Sequence, residues 1–139
     1  MPANTNQPHI VVVNTRAANV HSVEKALHKV GAVPLVTSDS ADLAKADAVV
    51  LPGVGASDSV MNALNTMGLA GPVKDFAASG KPLLCICVGL QVLFDNSEEG
   101  ELPGLGLVEG NVRLIPTGMT DELGASMKVP HMGWNEVTF

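Results

Sequence analysis

The sequence has few aromatic side chains, few positive charges and no long apolar run. Aromatic residues make up 3% of its 139 residues, so a core must be built from Val, Leu, Ala and Met. The 8 basic residues are scattered singly and are outnumbered by 14 acidic ones. They cannot neutralise a row of phosphates, which argues against a nucleic-acid partner. No apolar run approaches the roughly 20 residues that span a bilayer, which argues against a membrane protein.

Cysteine is also scarce, and the two thiols stand two residues apart. Along a strand, Cys85 and Cys87 would lie about 6.6 Å apart at ~3.3 Å per residue, which exceeds the ~3.8 Å between the Cβ atoms of a disulfide. Free thiols suit a reducing compartment. Residues 1–8 lack the basic and apolar stretches of a secretory signal and are predicted to be a disordered tail. We therefore expect a cytoplasmic protein.

Short apolar runs rich in valine alternate with segments in which apolar residues recur at helical spacing, and 46% of the residues are hydrophobic. Strands are predicted at 9–14, 33–37, 48–51 and 82–86, and helices at 20–30, 40–45, 60–67, 72–79 and 88–94. This alternation predicts an α/β fold, a three-layer open and mostly parallel sheet covered by helices on both faces. After residue 107 two strand-like runs, at 108–115 and 135–139, follow without a helix between them and predict an antiparallel extension.

The run Leu83–Gln91 carries the strongest chemical signal. An apolar strand leads into Cys87, and Val88 and Gly89 open the helix that follows. This is the arrangement of a nucleophile elbow with sulfur in place of the serine oxygen. Its turn lifts the thiol out of the sheet and points the N–H of Val88 toward an oxyanion on the attacked carbonyl. Gly89 lets helix and strand pack closely. The plainer alternative is that both cysteines are small buried hydrophobes, and we keep it for Cys85, inside the strand.

Two further features are weaker taken alone. The glycines of Gly53-Val54-Gly55 can offer N–H groups to a carbonyl oxygen, although a tight turn explains them equally well. His131 is the one histidine in a dense motif and is a candidate base for a cysteine nucleophile. Beside Trp134, however, it more commonly marks a protein contact. No cluster of His, Cys, Asp and Glu has metal-ligand spacing, so no metal site is predicted.

Four motifs together resemble the class I (triad-type) glutamine amidotransferases. In chain order they are Pro52-Gly53-Val54-Gly55, Cys87-Val88-Gly89-Leu90-Gln91, Ser97-Glu98-Glu99-Gly100 and Val129-Pro130-His131-Met132-Gly133-Trp134-Asn135. The last motif narrows the resemblance to the glutaminase subunits of imidazole glycerol phosphate synthases. The resemblance extends from about His9 to the end of the sequence and implies a flavodoxin-like fold.

The resemblance assigns chemistry to individual residues. Cys87 matches the nucleophile that attacks the side-chain amide of L-glutamine, forms a thioester and releases ammonia. The residues that match oxyanion donors are Gly53, Val54 and Val88, and those that match substrate-binding residues are Gly55, Gln91 and Glu99. In the family the loop at 53–55 reorients when the partner holds its ligand. No cofactor is implied.

The resemblance also implies a partner, a cyclase subunit with a (β/α)8 barrel that receives the ammonia in histidine biosynthesis. His131, Met132, Trp134 and Asn135 match the surface that faces this partner, so a heterodimer is expected. Two readings remain as alternatives. One is a glutaminase for another acceptor, as in anthranilate or pyridoxal phosphate synthesis. The other is a non-catalytic, truncated module that only binds a partner.

Three departures from the family pattern bear on activity. The catalytic His and Glu of the family match no residue here, so 9–139 are expected to be the N-terminal part of a single amidotransferase domain whose C-terminal part is absent. The 139-residue chain alone is therefore predicted to have no appreciable glutaminase activity. Cys85 replaces the usual Gly before the nucleophile. The turn Asn14–Asn19 keeps only its last residue in common with the family.

Overall fold

The computed structural model describes residues 7–130 and 132–138, and its centre is a four-stranded parallel sheet. The sheet has the strand order β2-β1-β3-β4, and a two-stranded sheet of β5 and β6 follows it. The elements are β1 (Ile10–Val13), α1 (Val20–Lys29), β2 (Pro34–Thr37), α2 (Ser40–Lys45), β3 (Ala48–Gly53), α3 (Ser57–Thr66), α4 (Ala70–Ala78), β4 (Leu83–Cys87), α5 (Val88–Gln91), β5 (Asn96–Ser97) and β6 (Asn111–Val112).

Local sequence signals account for where the helices begin and end. The side chain of Asn19 accepts a hydrogen bond from the N–H of Ser22 and caps α1, as its position before the helix predicts. Asp39 caps α2 in the same way through the N–H of Ala41. Helices α3 and α4 are followed by Gly68 and Gly80, whose positive φ angles of 66° and 75° suit glycine and end the helical path.

Alternate side chains along the strands point to opposite faces of the sheet, and one face forms the main core. The cluster on that face joins strand residues to side chains of α2, α3, α4 and α5. Its members include Val11, Val13, Leu43, Val49, Leu51, Val60, Leu64, Val73, Phe76 and Val88. Helix α1 lies on the other face, against β1 and β2. Helices therefore stand on both faces, and the predicted α/β class is confirmed.

The strand order determines where a ligand can bind. From β1 the chain crosses to β2 on one side and later returns to β3 on the other, so the connections diverge at the carboxyl ends of β1 and β3. In open α/β sheets the crevice at such a point is the usual binding place. The segments that follow β3 and β4 open on this edge, and they carry the residues of the predicted site.

The prediction of an antiparallel extension is wrong. Strands β5 and β6 pair in parallel, with Asn96 opposite Asn111, because residues 98–110 carry the chain back to the same end before β6 begins. The strand expected at 108–115 shrinks to two residues, and 135–138 form no strand. Phe139 lies outside the described residues. Antiparallel pairing after residue 107 is confined, among the described residues, to one bridge between Thr120 and Ser126.

Two further expectations concern the chain as a whole. Gln7 and Pro8 are exposed and belong to no helix or strand, whereas residues 1–6 of the expected tail lie outside the described part. Among the described residues, no helix is both long enough and apolar enough to cross a membrane.

Candidate active site

Cys87 occupies a strained turn between the last strand of the main sheet and a short helix. Its φ is 56° and its ψ is −117°, a conformation that non-glycine residues rarely adopt. Such strain persists only where the surroundings impose it, and it is concentrated at functional sites. The Cys87 residue is exposed, whereas Cys85, two residues earlier in β4, is half-buried. The elbow geometry that the sequence predicts is present.

Two glycines bring the elbow into backbone contact with the end of β3. Gly53 lies directly opposite Cys87 in the parallel register. A Cβ atom on Gly53 would lie 2.6 Å from the backbone nitrogen of Gly89, and a Cβ on Gly89 would overlap the carbonyl oxygen of Leu51. The predicted reason for Gly89, close packing of helix against strand, is confirmed. The start of the loop at 53–55 therefore adjoins the cysteine.

Two of the three predicted oxyanion donors, Val88 and Val54, differ in their surroundings. Val88 is the first residue of α5, so its N–H has no acceptor within that helix. The N–H of Val54 instead donates to the carbonyl of Ala17, at 2.9 Å, in the turn after β1. Gly55 follows with a φ of 83°. The role of Val54 as an oxyanion donor stays a prediction, and it requires this peptide to rotate away from Ala17.

The predicted substrate-binding residues stand on two segments near the elbow. Gln91 is the last residue of α5, and its side-chain oxygen is buried without a hydrogen-bond donor among the described residues. A buried acceptor left unpaired is costly, so a ligand that donates to this oxygen would be favoured. Glu99 is exposed in a turn closed by a hydrogen bond from the N–H of Gly100 to the carbonyl of Ser97.

Asp58 is a residue that the sequence analysis did not single out. It lies in the first turn of α3, five residues after Gly53, and its carboxylate accepts the N–H groups of Glu101 and Leu102, each at 3.0 Å. These two hydrogen bonds hold the pKa of Asp58 below its ordinary value. An acidic residue in the first turn of a helix is visible in the sequence, but its partners, more than 40 residues away, are not.

The two thiols differ in their chemistry as well as in their exposure. Burial raises the pKa of Cys85 to about 11, because an apolar environment disfavours the thiolate. Cys85 therefore stays protonated at neutral pH, which agrees with its prediction as a structural residue. Its side chain packs against the main core.

The remaining predicted residues lie in the C-terminal segment. His131 is outside the described residues, so neither its candidacy as a base nor its place in a partner surface is tested. Met132 is 88% exposed and Trp134 is fully exposed, and Asn135 is also exposed. Within residues 7–130 and 132–138, no three His, Cys, Asp or Glu side chains come together as a metal site would require.

Comparison with known proteins identifies relatives of this chain. The domain model of CobB/CobQ-like glutamine amidotransferases matches residues 9–137. The imidazole glycerol phosphate synthase subunit HisH of Trichormus variabilis is 47% identical over 132 residues, which cover 94% of this chain and 59% of that protein. The corresponding subunit of Nitrosospira multiformis is 48% identical over 131 residues, covering 92% and 61%. The chain thus spans about three fifths of the length of these relatives.

Two solved structures resemble the fold. A crystal structure of a glutamine amidotransferase has a TM-score of 0.62 at 22% identity, covering 74% of this chain and 55% of that one. A putative peptidase E protein from Listeria monocytogenes has a TM-score of 0.61 at 16% identity, covering 76% and 66%. At these identities the likeness supports the fold alone.

Proposed function

Since the chain belongs to the CobB/CobQ-like glutamine amidotransferase domain family, we propose that it carries the cysteine part of a glutaminase site. The observation that carries this proposal is the strained, exposed Cys87, held opposite Gly53 and followed by the close contact at Gly89. A structural cysteine needs neither a positive φ nor the glycines at positions 53 and 89 that let the turn approach β3 closely. A nucleophile that must reach a substrate above the sheet edge needs both.

The proposed reaction is an acyl transfer to sulfur. The Cys87 thiolate attacks the side-chain carbonyl carbon of L-glutamine, and the N–H of Val88 stabilises the oxyanion that forms. The carbon–nitrogen bond then breaks, and the departing nitrogen takes up the proton that the Cys87 thiol lost on becoming a thiolate. Ammonia is released, and a thioester remains on Cys87. Water attacks the thioester, which releases glutamate and restores the thiol. The buried oxygen of Gln91 and the carboxylate of Glu99 are proposed to hold the glutamine.

The longer relatives support a proposal for the setting of this reaction. We propose that the chain works as the glutaminase part of an imidazole glycerol phosphate synthase and supplies ammonia to a cyclase with a (β/α)8 barrel. The exposed side chains of Met132 and Trp134 suit a protein contact, because large apolar groups in water favour burial against a partner. The free thiols suit the cytoplasm.

We also propose that the 139-residue chain alone turns over no appreciable glutamine. A cysteine nucleophile needs a base oriented by a carboxylate, and motif matching assigns no residue here to the catalytic His and Glu of the family. His21 and His28, both exposed on α1, lie 3.8 Å and 4.0 Å from the carboxylate of Glu24 on the same helix. Measured release of glutamate from glutamine by this chain would contradict the proposal.

The nucleophile is tested by labelling with a diazo-ketone analogue of glutamine, followed by mass spectrometry of the intact chain and its peptides. One label on Cys87 is expected, with protection by glutamine. Cys87→Ala should abolish labelling, and the matched variant Cys85→Ala should retain it. Equal labelling of both cysteines, or labelling that glutamine does not slow, would contradict a glutaminase site.

The partner surface is tested separately by binding to a cyclase subunit of an imidazole glycerol phosphate synthase. Isothermal titration calorimetry should detect binding. Trp134→Ala should raise the dissociation constant by roughly tenfold or more, as expected for a large aromatic anchor. The matched control is Leu123→Ala, another exposed apolar residue outside the motif. Equal effects of the two substitutions would contradict the assignment of the surface to residues 131–135.

A further inference from the structure

The loop that carries Glu99 is attached to the first turn of α3. After Glu99 the chain turns at Gly100, and the next two N–H groups, of Glu101 and Leu102, both donate to the Asp58 carboxylate. Each oxygen of the carboxylate accepts one of the two hydrogen bonds. A carboxylate with two acceptors suits two successive N–H groups, and hydrogen bonds to a charged group are stronger than those between neutral groups.

Gly100 fits this attachment because it has no side chain. A Cβ atom there would overlap an oxygen of Asp58 and would lie 2.6 Å from the hydroxyl oxygen of Ser57. Ser57 is 4% exposed, and its hydroxyl has no hydrogen-bond partner among the described residues. The loop backbone therefore lies directly on the first turn of α3, and a larger residue at position 100 would displace the Asp58 side chain.

The other flank of the loop is attached to β6. The N–H of Glu98 donates to the carbonyl of Val112 at 2.9 Å, and the Glu98 carboxylate accepts the N–H of Leu114 at 2.7 Å. Glu99 thus stands between two attached flanks, one on α3 and one on β6. The α3 flank is the one linked to the nucleophile, because α3 begins four residues after Gly53, which is paired with Cys87.

We propose that Asp58 is a positioning residue for glutamine binding. It fixes the 97–102 loop on the first turn of α3, and so sets the place of Glu99 relative to the loop at 53–55 and to Cys87. This inference rests on the proposed glutaminase function, in which Glu99 holds the substrate. Asp58 acts through the loop backbone and takes no part in the acyl transfer.

The attachment itself is tested by amide hydrogen exchange of the full chain. Asp58→Ala should accelerate exchange at Glu101 and Leu102 by about tenfold or more, as expected for loss of a hydrogen bond from each amide to a charged group. Asp58→Asn, which keeps one accepting oxygen, should give a smaller acceleration. The matched control is Asp42→Ala, which removes a first-turn aspartate of α2 that accepts from the Thr37 hydroxyl. Unchanged exchange at Glu101 and Leu102 in Asp58→Ala would overturn the proposal.

The positioning role is tested by the kinetics of Cys87 labelling with the glutamine diazo-ketone. Asp58→Ala should raise the reagent concentration for half-maximal rate by about three- to tenfold, and should leave the maximal rate and the alkylation of Cys87 by iodoacetamide within about twofold of the unmodified chain. A general disturbance of the site would change all three. An unchanged half-maximal concentration, or equal changes in all three quantities, would overturn the positioning role.

The two experiments separate failure of this inference from failure of the proposed function. If glutamine analogues do not label the unmodified chain selectively, the proposed function fails and the positioning role fails with it. Accelerated exchange in Asp58→Ala would then show that the contact exists without a substrate to position. If labelling is selective but insensitive to Asp58, the function stands and this inference alone is wrong.

Discussion

The two faces of the main sheet differ in how completely helices cover them. On the face that carries α2, α3 and α4, the side chains of β1 and β3 join one buried cluster, and those of β4 pack against it. On the α1 face, exposure increases from β1 through β3 to β4: Val12 is 0% exposed, Val50 4%, Ile86 38% and Leu84 57%. Helix α1 packs on β1 and β2 and leaves β4 open.

An apolar groove of about 300 Å³ marks the open side. Val23 and Leu27 of α1 line it together with Leu84 and Ile86 of β4. The sequence of β4 is apolar at every position, which is typical of a strand buried on both faces. The expectation of a sheet covered on both faces came from the alternation of such runs with helical segments. An apolar pattern reports which side chains favour burial, but it does not report whether a neighbour covers them.

The largest expected difference between the faces is the cost of removing a core leucine. Leu64 of α3 is fully buried in the covered face. We expect Leu64→Ala to lower the free energy of unfolding by about 2–5 kcal/mol, because it removes apolar contacts and leaves a cavity. Urea unfolding followed by circular dichroism measures the change. Asn65→Ala, at an exposed position of the same helix, should change the stability by about 0.5 kcal/mol or less. Similar values for both variants would contradict a closed core on this face.

The pKa of Cys85 measures how well the same face is shielded from solvent. Its pKa is raised by burial from 9.0 to about 11, so at pH 8 its thiolate fraction is about a hundredfold smaller than that of an unperturbed thiol. In Cys87→Ala, the rate of Cys85 alkylation by iodoacetamide should rise about tenfold per pH unit and level off near pH 11. A plateau near pH 9 would show that solvent reaches this thiol and that the face is less closed than the structure indicates.

Local signals made most of the fold and the centre of the site predictable. Asn19, Gly68 and Gly80 mark helix ends through capping and positive φ angles, which depend on the residue itself. The strand-Cys-x-Gly run likewise predicts a turn at Cys87, whatever the position of the strand in the sheet. What the sequence could not give depends on partners far along the chain. The direction of β6 follows from the path of 98–110, and the engagement of the Val54 N–H depends on the carbonyl of Ala17.

The contact of Gly89 with Leu51 of β3 joins the covered face of the sheet to the candidate site. Gly89→Ala would place a Cβ against the carbonyl of Leu51, which belongs to the backbone and cannot turn aside. We expect a loss of stability of about 1–3 kcal/mol, typical of overpacking, together with slower labelling of Cys87 by the glutamine analogue. Gly71→Ala is the matched control, since α4 leaves open space at that position, and it should be neutral or stabilising by up to about 1 kcal/mol. If Gly89→Ala behaves like Gly71→Ala, the elbow is not tightly packed on β3.

The smallest effect is expected on the open face. Leu84 is a leucine like Leu64, but it is 57% exposed in the apolar groove beside α1. Leu84→Ala should therefore cost less than about 1 kcal/mol, because the side chain loses little burial and leaves no enclosed cavity. Urea unfolding at two chain concentrations measures it. A cost near that of Leu64→Ala would mean that the groove is covered in solution. If that cost also grows with chain concentration, the cover is a second copy of the chain, since only association makes the stability depend on concentration.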